Sequence, residues 1–123
     1  MSTSSPPDAV QLEKLTLANT DYRRVIWTSP RMQIVLMCLK PGEEIDEEVH
    51  ENGDQFFRVE EGGIVVYVNK TKELRAGSGG SIVVPAGTMH RVKACVVHGV
   101  KLYTIYSPPQ HKPGTVDKTK PSH

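Results

Sequence analysis

The sequence predicts an all-β domain, and three observations lead to this prediction. Short runs rich in β-branched and aromatic residues recur along the chain, turn-forming Pro, Gly and Asn residues separate them, and helical periodicity is weak except near residues 9–18. Short strands at close spacing are typical of a sandwich or a barrel. The predicted strands are residues 23–28, 32–39, 47–50, 55–60, 63–69, 73–75, 81–84, 89–97 and 100–106.

Turn-forming residues mark the boundaries between these predicted strands. Ser29-Pro30 separates the first two strands. The glycine-rich residues 76–80 are interpreted as a flexible turn, because a phosphate-binding loop would need a Gly-Lys-Ser/Thr ending and a following helix. Asn52-Gly53 is the strongest short hairpin signal in the chain, since both residues tolerate positive φ. We therefore expect the strands on either side of Asn52-Gly53 to pair as a hairpin.

The chain has 123 residues, which is the size of one domain. The Ser/Pro-rich residues 1–10 are expected to be a disordered N-terminal segment, residues 11–106 a single barrel domain, and residues 107–123 an extended C-terminal tail. The tail is rich in Pro, Lys and Thr, which excludes a long helix or a central strand. We expect it to lie over the barrel or over a partner subunit.

Charge and hydropathy exclude several classes of partner. The net charge is +1 and there is no basic stripe with interleaved aromatics, so no nucleic-acid binding is expected. No run approaches the roughly 18 apolar residues that a membrane-spanning helix needs. The N-terminus lacks the basic start and apolar stretch of a signal peptide, which predicts a cytoplasmic protein. Cys38 and Cys95 are then expected to be small buried thiols, the alternative being a disulfide or a thiolate metal ligand.

Acidic residues are concentrated in one segment, residues 43–54. No Lys or Arg falls between Lys40 and Arg58. The cluster is either the solvated rim of a turn or a source of negative potential that draws a cation toward His50. Its seven members are Glu43, Glu44, Asp46, Glu47, Glu48, Glu51 and Asp54.

Two stretches of the chain, residues 42–62 and 79–94, resemble the two sequence motifs of the cupin superfamily. The first motif is met at Gly42, His50 and Gly62, with Glu48 in place of a His and Gln55 in place of a Glu; the second is met at Gly79, Pro85, Gly87 and His90, with Ala94 in place of an Asn. The resemblance implies a double-stranded β-helix, the jelly-roll barrel of cupins. It also implies a metal site, for which the usual ligands are three His and one Glu.

Four side chains are candidates for the metal ligands: Glu48, His50, Gln55 and His90. Side chains two apart on a strand share a face, so Glu48 and His50 are expected to point the same way. Two His and one carboxylate suit iron(II) with open positions, and the same set could hold Mn, Ni, Co or Zn. Gln55 is a weaker, neutral ligand, so it is a direct ligand, a neighbour of the ligands, or a substrate contact. The alternative is a barrel mouth that binds no metal.

Within cupins, the chain is similar to small single-domain proteins labelled as similar to mannose-6-phosphate isomerase. The stretches EEVHENGDQFFRVEEG (residues 47–62) and KLYTIYSPPQHKPGTVDKTK (residues 101–120) carry this likeness. It implies a metal-dependent isomerase or epimerase of a sugar or sugar phosphate. The alternatives are a non-haem iron dioxygenase of a small organic substrate and a non-catalytic module that binds a small ligand.

Several further residues have alternative roles. Phe57 is expected in the core, or else as a wall of the pocket. His111 is expected to be a solvated residue of the tail, although it could close over the site and, like a Tyr or a pocket acid, move a proton. Open strand edges need cover, so we also expect a homodimer.

Overall fold

The computed structural model describes residues 7–122, and this part of the chain folds into one short helix and nine strands. Every pairing between strands is antiparallel. Helix α1 spans Leu12–Ala18, and the strands are β1 (Arg23–Thr28), β2 (Gln33–Leu39), β3 (Glu44–Glu48), β4 (Asp54–Val68), β5 (Lys72–Gly77), β6 (Ser81–Val84), β7 (His90–Ala94), β8 (Val100–Ser107) and β9 (Val116–Asp117).

Two antiparallel sheets form the barrel, and they share one strand. The first sheet has the order β9-β1-β2-β8-β4-β6, and the second has the order β3-β7-β4-β5. The register of β4 against β8 shifts between Val59 and Glu61. Gly62 follows with a φ of 86°, and a Cβ at this position would overlap the carbonyl oxygen of Gly99. The bend at this glycine carries β4 from one sheet into the other, so the predicted all-β jelly-roll barrel is confirmed.

The core lies between the inward faces of the two sheets. Alternate residues of β4, β7 and β8 are buried, as expected for strands with one face inward. Phe57, Val66 and Leu102 are each at most 1% exposed. Toward one end of the barrel the apolar side chains give way to buried polar ones, among them Gln55 and His90. Buried polar groups need partners, so this end, the barrel mouth, is the place where a site can form.

The predicted hairpin at Asn52-Gly53 is wrong. Strand β3 pairs with β7, whereas the first half of β4 pairs with β6 and β8. The two strands that flank the turn therefore belong to opposite sheets, and the turn crosses the barrel mouth. The predicted strands 55–60 and 63–69 are parts of one continuous strand, β4. The other predicted strands are confirmed, with boundaries that differ by up to three residues.

The ends of the chain pack differently from the barrel strands. Residues 1–6, most of the N-terminal segment expected to be disordered, lie outside the described residues. Helix α1 packs against β2, β4 and β8. Beyond β8 the tail contacts the barrel and adds the two-residue strand β9 to the edge of β1. No helix in residues 7–122 has the length and apolar character needed to cross a membrane. Cys38 and Cys95 are free, partly buried thiols.

Candidate metal centre

Two rows of inward-facing side chains meet across the barrel mouth. In the first sheet, strand register places Tyr106 of β8 between Gln33 of β2 and Gln55 of β4. In the second sheet, it places Glu48 at the end of β3 opposite His90 at the start of β7. Because the sheets face each other, residues far apart in sequence are brought together here.

Hydrogen bonds between two loops fix the position of His50, which follows the end of β3. The backbone N–H of Gly87 donates to the carbonyl oxygen of His50 at 2.9 Å, and the N–H of Ala86 donates to Asp54 Oδ1 at 2.9 Å. Gly87 has a φ of 81°, a conformation that glycine adopts without strain. The turn before β7 and the turn after β3 are thus joined, and His50 lies beside His90.

The donor atoms of Glu48, His50 and His90 converge on one point. Glu48 Oε1 lies 3.2 Å from His50 Nε2 and 3.9 Å from His90 Nε2. One ligand atom from each residue lies within 4.8 Å of the other two. A divalent ion takes nitrogen and oxygen ligands at roughly 2.0–2.2 Å, which separates neighbouring ligands by about 3–4 Å. The group therefore has the donor types and the spacing to hold a divalent metal.

The hydrogen bonds of His90 orient its ring toward this point. Nδ1 lies 3.0 Å from the carbonyl oxygen of Thr88, which can only accept, so Nδ1 carries a proton and donates. Nε2 then faces Gln55 Oε1 at 3.1 Å, and in the singly protonated ring both atoms present lone pairs. A cation placed between them would relieve this opposition.

Gln55 is the predicted ligand with the most ambiguous role. Its Nε2 donates to Thr104 Oγ1 at 3.0 Å, deep in the barrel. A hydroxyl can donate as well as accept, so the Gln55 amide can turn either its oxygen or its NH₂ toward His90. Gln55 lies where it can either join the ligands of a metal or hold the His90 ring in place.

Glu48 and His50 are hydrogen-bonded, and each shifts the pKa of the other. Burial opposes ionisation of Glu48, but its hydrogen bond to His50 and the charges of nearby histidines outweigh burial and lower the pKa of Glu48. The hydrogen bond to Glu48 is the largest cause that raises the pKa of His50, with burial opposing it and the amides of Gln110 and Gln55 assisting. The carboxylate is thus ionised and ready to bind a cation.

Aromatic side chains surround the site. Tyr106 stands edge-on to His50 with ring centroids 5.6 Å apart, and burial raises the pKa of its phenol, which stays protonated. Phe57 is buried in the core and also packs against the His90 ring, so it has both of its expected roles.

His111 is not the solvated residue that the sequence predicted. It is partly buried, its Nε2 lies 3.3 Å from the Tyr106 hydroxyl, and burial lowers the pKa of its imidazole. The path of the tail across the mouth causes this difference, since no local pattern around His111 indicates a contact with Tyr106.

Cations from distant elements partly neutralise the acidic segment. Arg91 of β7 pairs with Glu44 at 2.7 Å, and Lys70 pairs with Glu47 at 3.1 Å. The negative potential predicted from the sequence is therefore reduced along the rim. Among residues 7–122, the ion-pairing partners of Glu48 are the imidazole nitrogens of His50 and His90, and it pairs with no Lys or Arg.

A two-sheet antiparallel barrel with two histidines and a carboxylate gathered at its mouth belongs to the class of jelly-roll barrels. The family model of the cupin domain matches residues 35–106, and the chain belongs to this family.

The chain is also similar to two curated proteins and to a solved structure. The chain is 44% identical over 115 residues to the uncharacterized protein L612 of Acanthamoeba polyphaga mimivirus, covering 91% of this chain and 72% of that protein. It is 40% identical over 119 residues to the uncharacterized protein YrkC of Bacillus subtilis, covering 93% of this chain and 64% of that protein. The crystal structure of BH2720 from Bacillus halodurans superposes with a TM-score of 0.89 at 39% identity, covering 93% of this chain and 90% of that one.

Proposed function

We propose that this cupin is a metal-dependent enzyme that isomerises or epimerises a small hydroxy-carbonyl compound, such as a sugar or a sugar phosphate. The convergence of Glu48, His50 and His90 at the barrel mouth is the observation that carries the proposal. The resemblance to small cupins labelled as similar to mannose-6-phosphate isomerase supports the type of reaction.

The chemistry divides between the metal and the side chains of the chain. Glu48, His50 and His90 would hold a divalent ion, which when bound supplies a Lewis acid for a substrate carbonyl. Isomerisation also needs a group that takes a proton from the neighbouring carbon and returns it. His111 is held neutral by burial and can accept a proton, while Tyr106 keeps its proton and can donate a hydrogen bond.

The first experiment measures the metal. Elemental analysis of protein purified without a histidine tag would be compared with a His50→Ala/His90→Ala double variant. Near-stoichiometric metal that the double variant loses supports the site, and absence of metal from both proteins after reloading contradicts it.

The second experiment measures the reaction. The metal-loaded protein is incubated in D₂O with aldoses, ketoses and their phosphates, and deuterium incorporation at the carbon next to the carbonyl is followed by NMR. Failure to find exchange or interconversion with any of them would reject the isomerase.

A non-haem iron dioxygenase is the second candidate. Two histidines and one carboxylate form the ligand set that such enzymes use, with positions left open for oxygen and substrate. Oxygen consumption by the iron(II)-loaded protein, tested over a panel of small organic substrates, separates this candidate from the isomerase. A protein that turns over no substrate but binds a small molecule would instead be a non-catalytic binding module, the reading that the changed motif residues Gln55 and Ala94 favour.

A further inference from the structure

The side chain of Gln33 forms hydrogen bonds with the backbone of the tail and holds it in place. Gln33 lies on β2 with 0% exposure. Its Oε1 accepts the backbone N–H groups of Gln110 at 3.2 Å and His111 at 3.0 Å. Its Nε2 donates to the carbonyl oxygen of His111 at 2.7 Å and to Thr28 Oγ1 at 3.1 Å. All four hydrogen-bonding positions of the amide are used, and three of them hold two consecutive tail residues.

The segment held in this way covers the metal centre. The Gln110 side chain lies over Gly53, where a Cβ would come within 3.1 Å of Gln110 Nε2, and it reaches the neighbourhood of His50. The His111 ring packs edge-on against the Tyr106 ring, with ring centroids 5.3 Å apart. Residues 108–112, which we call the roof, therefore close the side of the mouth opposite the ligand row of Glu48 and His90.

The charges around the mouth do not favour an anionic ligand. Two cationic side chains, Arg23 and Lys120, help to line a cavity of about 380 Å³ next to Glu48. Arg23 is paired with Asp117 at 2.7 Å, and Lys120 with Asp46 at 2.8 Å. The roof itself presents the Gln110 amide and the His111 imidazole, and its Lys112 is exposed. The amide and the imidazole bind hydroxyl and carbonyl oxygens well, whereas a phosphate is recognised by positive charge. Arg23 and Lys120 share theirs with Asp117 and Asp46, and Lys112 holds its charge at the exposed surface.

We propose that Gln33 is a positioning residue that holds Gln110 and His111 as the roof of the metal centre, and that this roof selects uncharged hydroxy-carbonyl molecules over their phosphate esters. The inference rests on the proposed function, because it assigns the substrate class of the same site.

The first test measures hydrogen exchange of the roof by NMR. Gln33→Met keeps the side-chain volume and removes all four hydrogen bonds, so the amides of Gln110 and His111 should exchange about tenfold faster or more. The matched control is Gln11→Met, the same substitution at an exposed position, which should leave exchange at the roof unchanged. Unchanged exchange in Gln33→Met would overturn the positioning role.

The second test measures ligand binding without turnover. The protein is loaded with Mn²⁺, and paramagnetic relaxation of the protons of D-fructose and of D-fructose 6-phosphate reports how tightly each sugar binds beside the ion. Wild-type protein should relax fructose more strongly than its phosphate, and Gln33→Met with equal Mn²⁺ content should bind fructose about tenfold more weakly. A purely structural Gln33 would lower thermal stability and leave the fructose affinity of the folded protein unchanged.

The outcomes separate this inference from the proposed function. Failure of the wild-type protein to bind Mn²⁺ would overturn the proposed function. If Gln33→Met binds Mn²⁺ and has the same fructose affinity as wild type, the role of Gln33 alone is overturned. If the wild-type protein binds fructose 6-phosphate more strongly than fructose, or binds neither sugar, the substrate class is overturned. If Gln33→Met does not fold, Gln110→Ala and His111→Ala test the roof from its outer side, and fructose affinity equal to wild type in both would overturn the roof.

Discussion

A metal ion at the barrel mouth must compete with the proton that Glu48 helps to hold on His50. The pKa of His50 is raised by its hydrogen bond to Glu48, so metal binding below that pKa displaces a proton from the imidazole. Below the pKa of His50, the affinity for the metal should fall about tenfold, or about 1.4 kcal/mol, for each unit by which the pH is lowered. Above that pKa the affinity should be constant. Over two pH units the loss reaches about a hundredfold.

Competition of Zn²⁺ or Co²⁺ between the protein and a coloured chelator, measured from pH 5.5 to 8.5, gives this dependence once the chelator's own protonation is subtracted. Affinity that is flat across this range would show that His50 releases no proton to the metal, and the assignment of His50 as a ligand would fail.

Glu48→Gln is the matched perturbation, because it keeps the volume and removes the charge. Without the carboxylate, His50 should stay neutral to lower pH, so the pH-dependent region moves to lower pH. The affinity at high pH should fall by about a hundredfold, since an anionic ligand is lost. A variant with the midpoint and affinity of wild type would show that Glu48 neither pairs with His50 nor binds the metal.

The metal-free protein provides an independent check on the same pair. The lowered pKa of Glu48 stabilises the fold above its ordinary value of 4.5, and this stabilisation is lost as pH falls through the folded pKa. The raised pKa of His50 stabilises the fold below its ordinary value of 6.5, and this is lost as pH rises through the folded pKa. In urea titrations, the stability difference between wild type and Glu48→Gln should be largest between pH 4.5 and 6.5.

Other perturbations test the site, the bend in β4 and the assembly. His90→Ala should remove stoichiometric metal in elemental analysis, whereas Lys93→Ala on the same strand should retain it; equal metal content would contradict the site. Gly62→Ala should lower the free energy of unfolding by about 3 kcal/mol, because the new Cβ overlaps a backbone oxygen, while Gly79→Ala, at positive φ in open space, should cost about 1 kcal/mol. If the two glycine variants lose similar free energies of unfolding, the positive φ alone, and not the overlap with a backbone oxygen, would account for the need for glycine at position 62. Light scattering should give the mass of a homodimer, since β3 and β5 each pair on one side only among the described residues, and a monomer at micromolar concentration would refute this.

Local patterns in the sequence predicted most of the strands and the residues that meet at the mouth. Glu48, His50 and His90 could be grouped because they stand at ligand positions of the two stretches that resemble the cupin motifs. The hairpin at Asn52-Gly53 was predicted wrongly, because a turn signal describes two dihedral pairs and carries no information on which sheet each flanking strand joins.

The tail was expected to lie over the barrel or over a partner subunit, and His111 to close over the site only as an alternative, but the contact that holds the roof could not be predicted. Gln33 and His111 are 78 residues apart in sequence, and their contact depends on the path of the tail after β8. Both residue types are common on solvated surfaces, so neither stands out in a single sequence. The ion pair of Lys70 with Glu47 was missed in the same way, since it joins separate turns of the chain.

Strand β4 belongs to both sheets, and this couples the unfolding of one sheet to that of the other. Neither sheet can separate while the other stays intact, because the bend at Gly62 joins them through one continuous backbone. The domain should therefore unfold in a single cooperative transition. An ion bound by Glu48 and His90, both in the second sheet, would raise the melting temperature of the first sheet by the same amount.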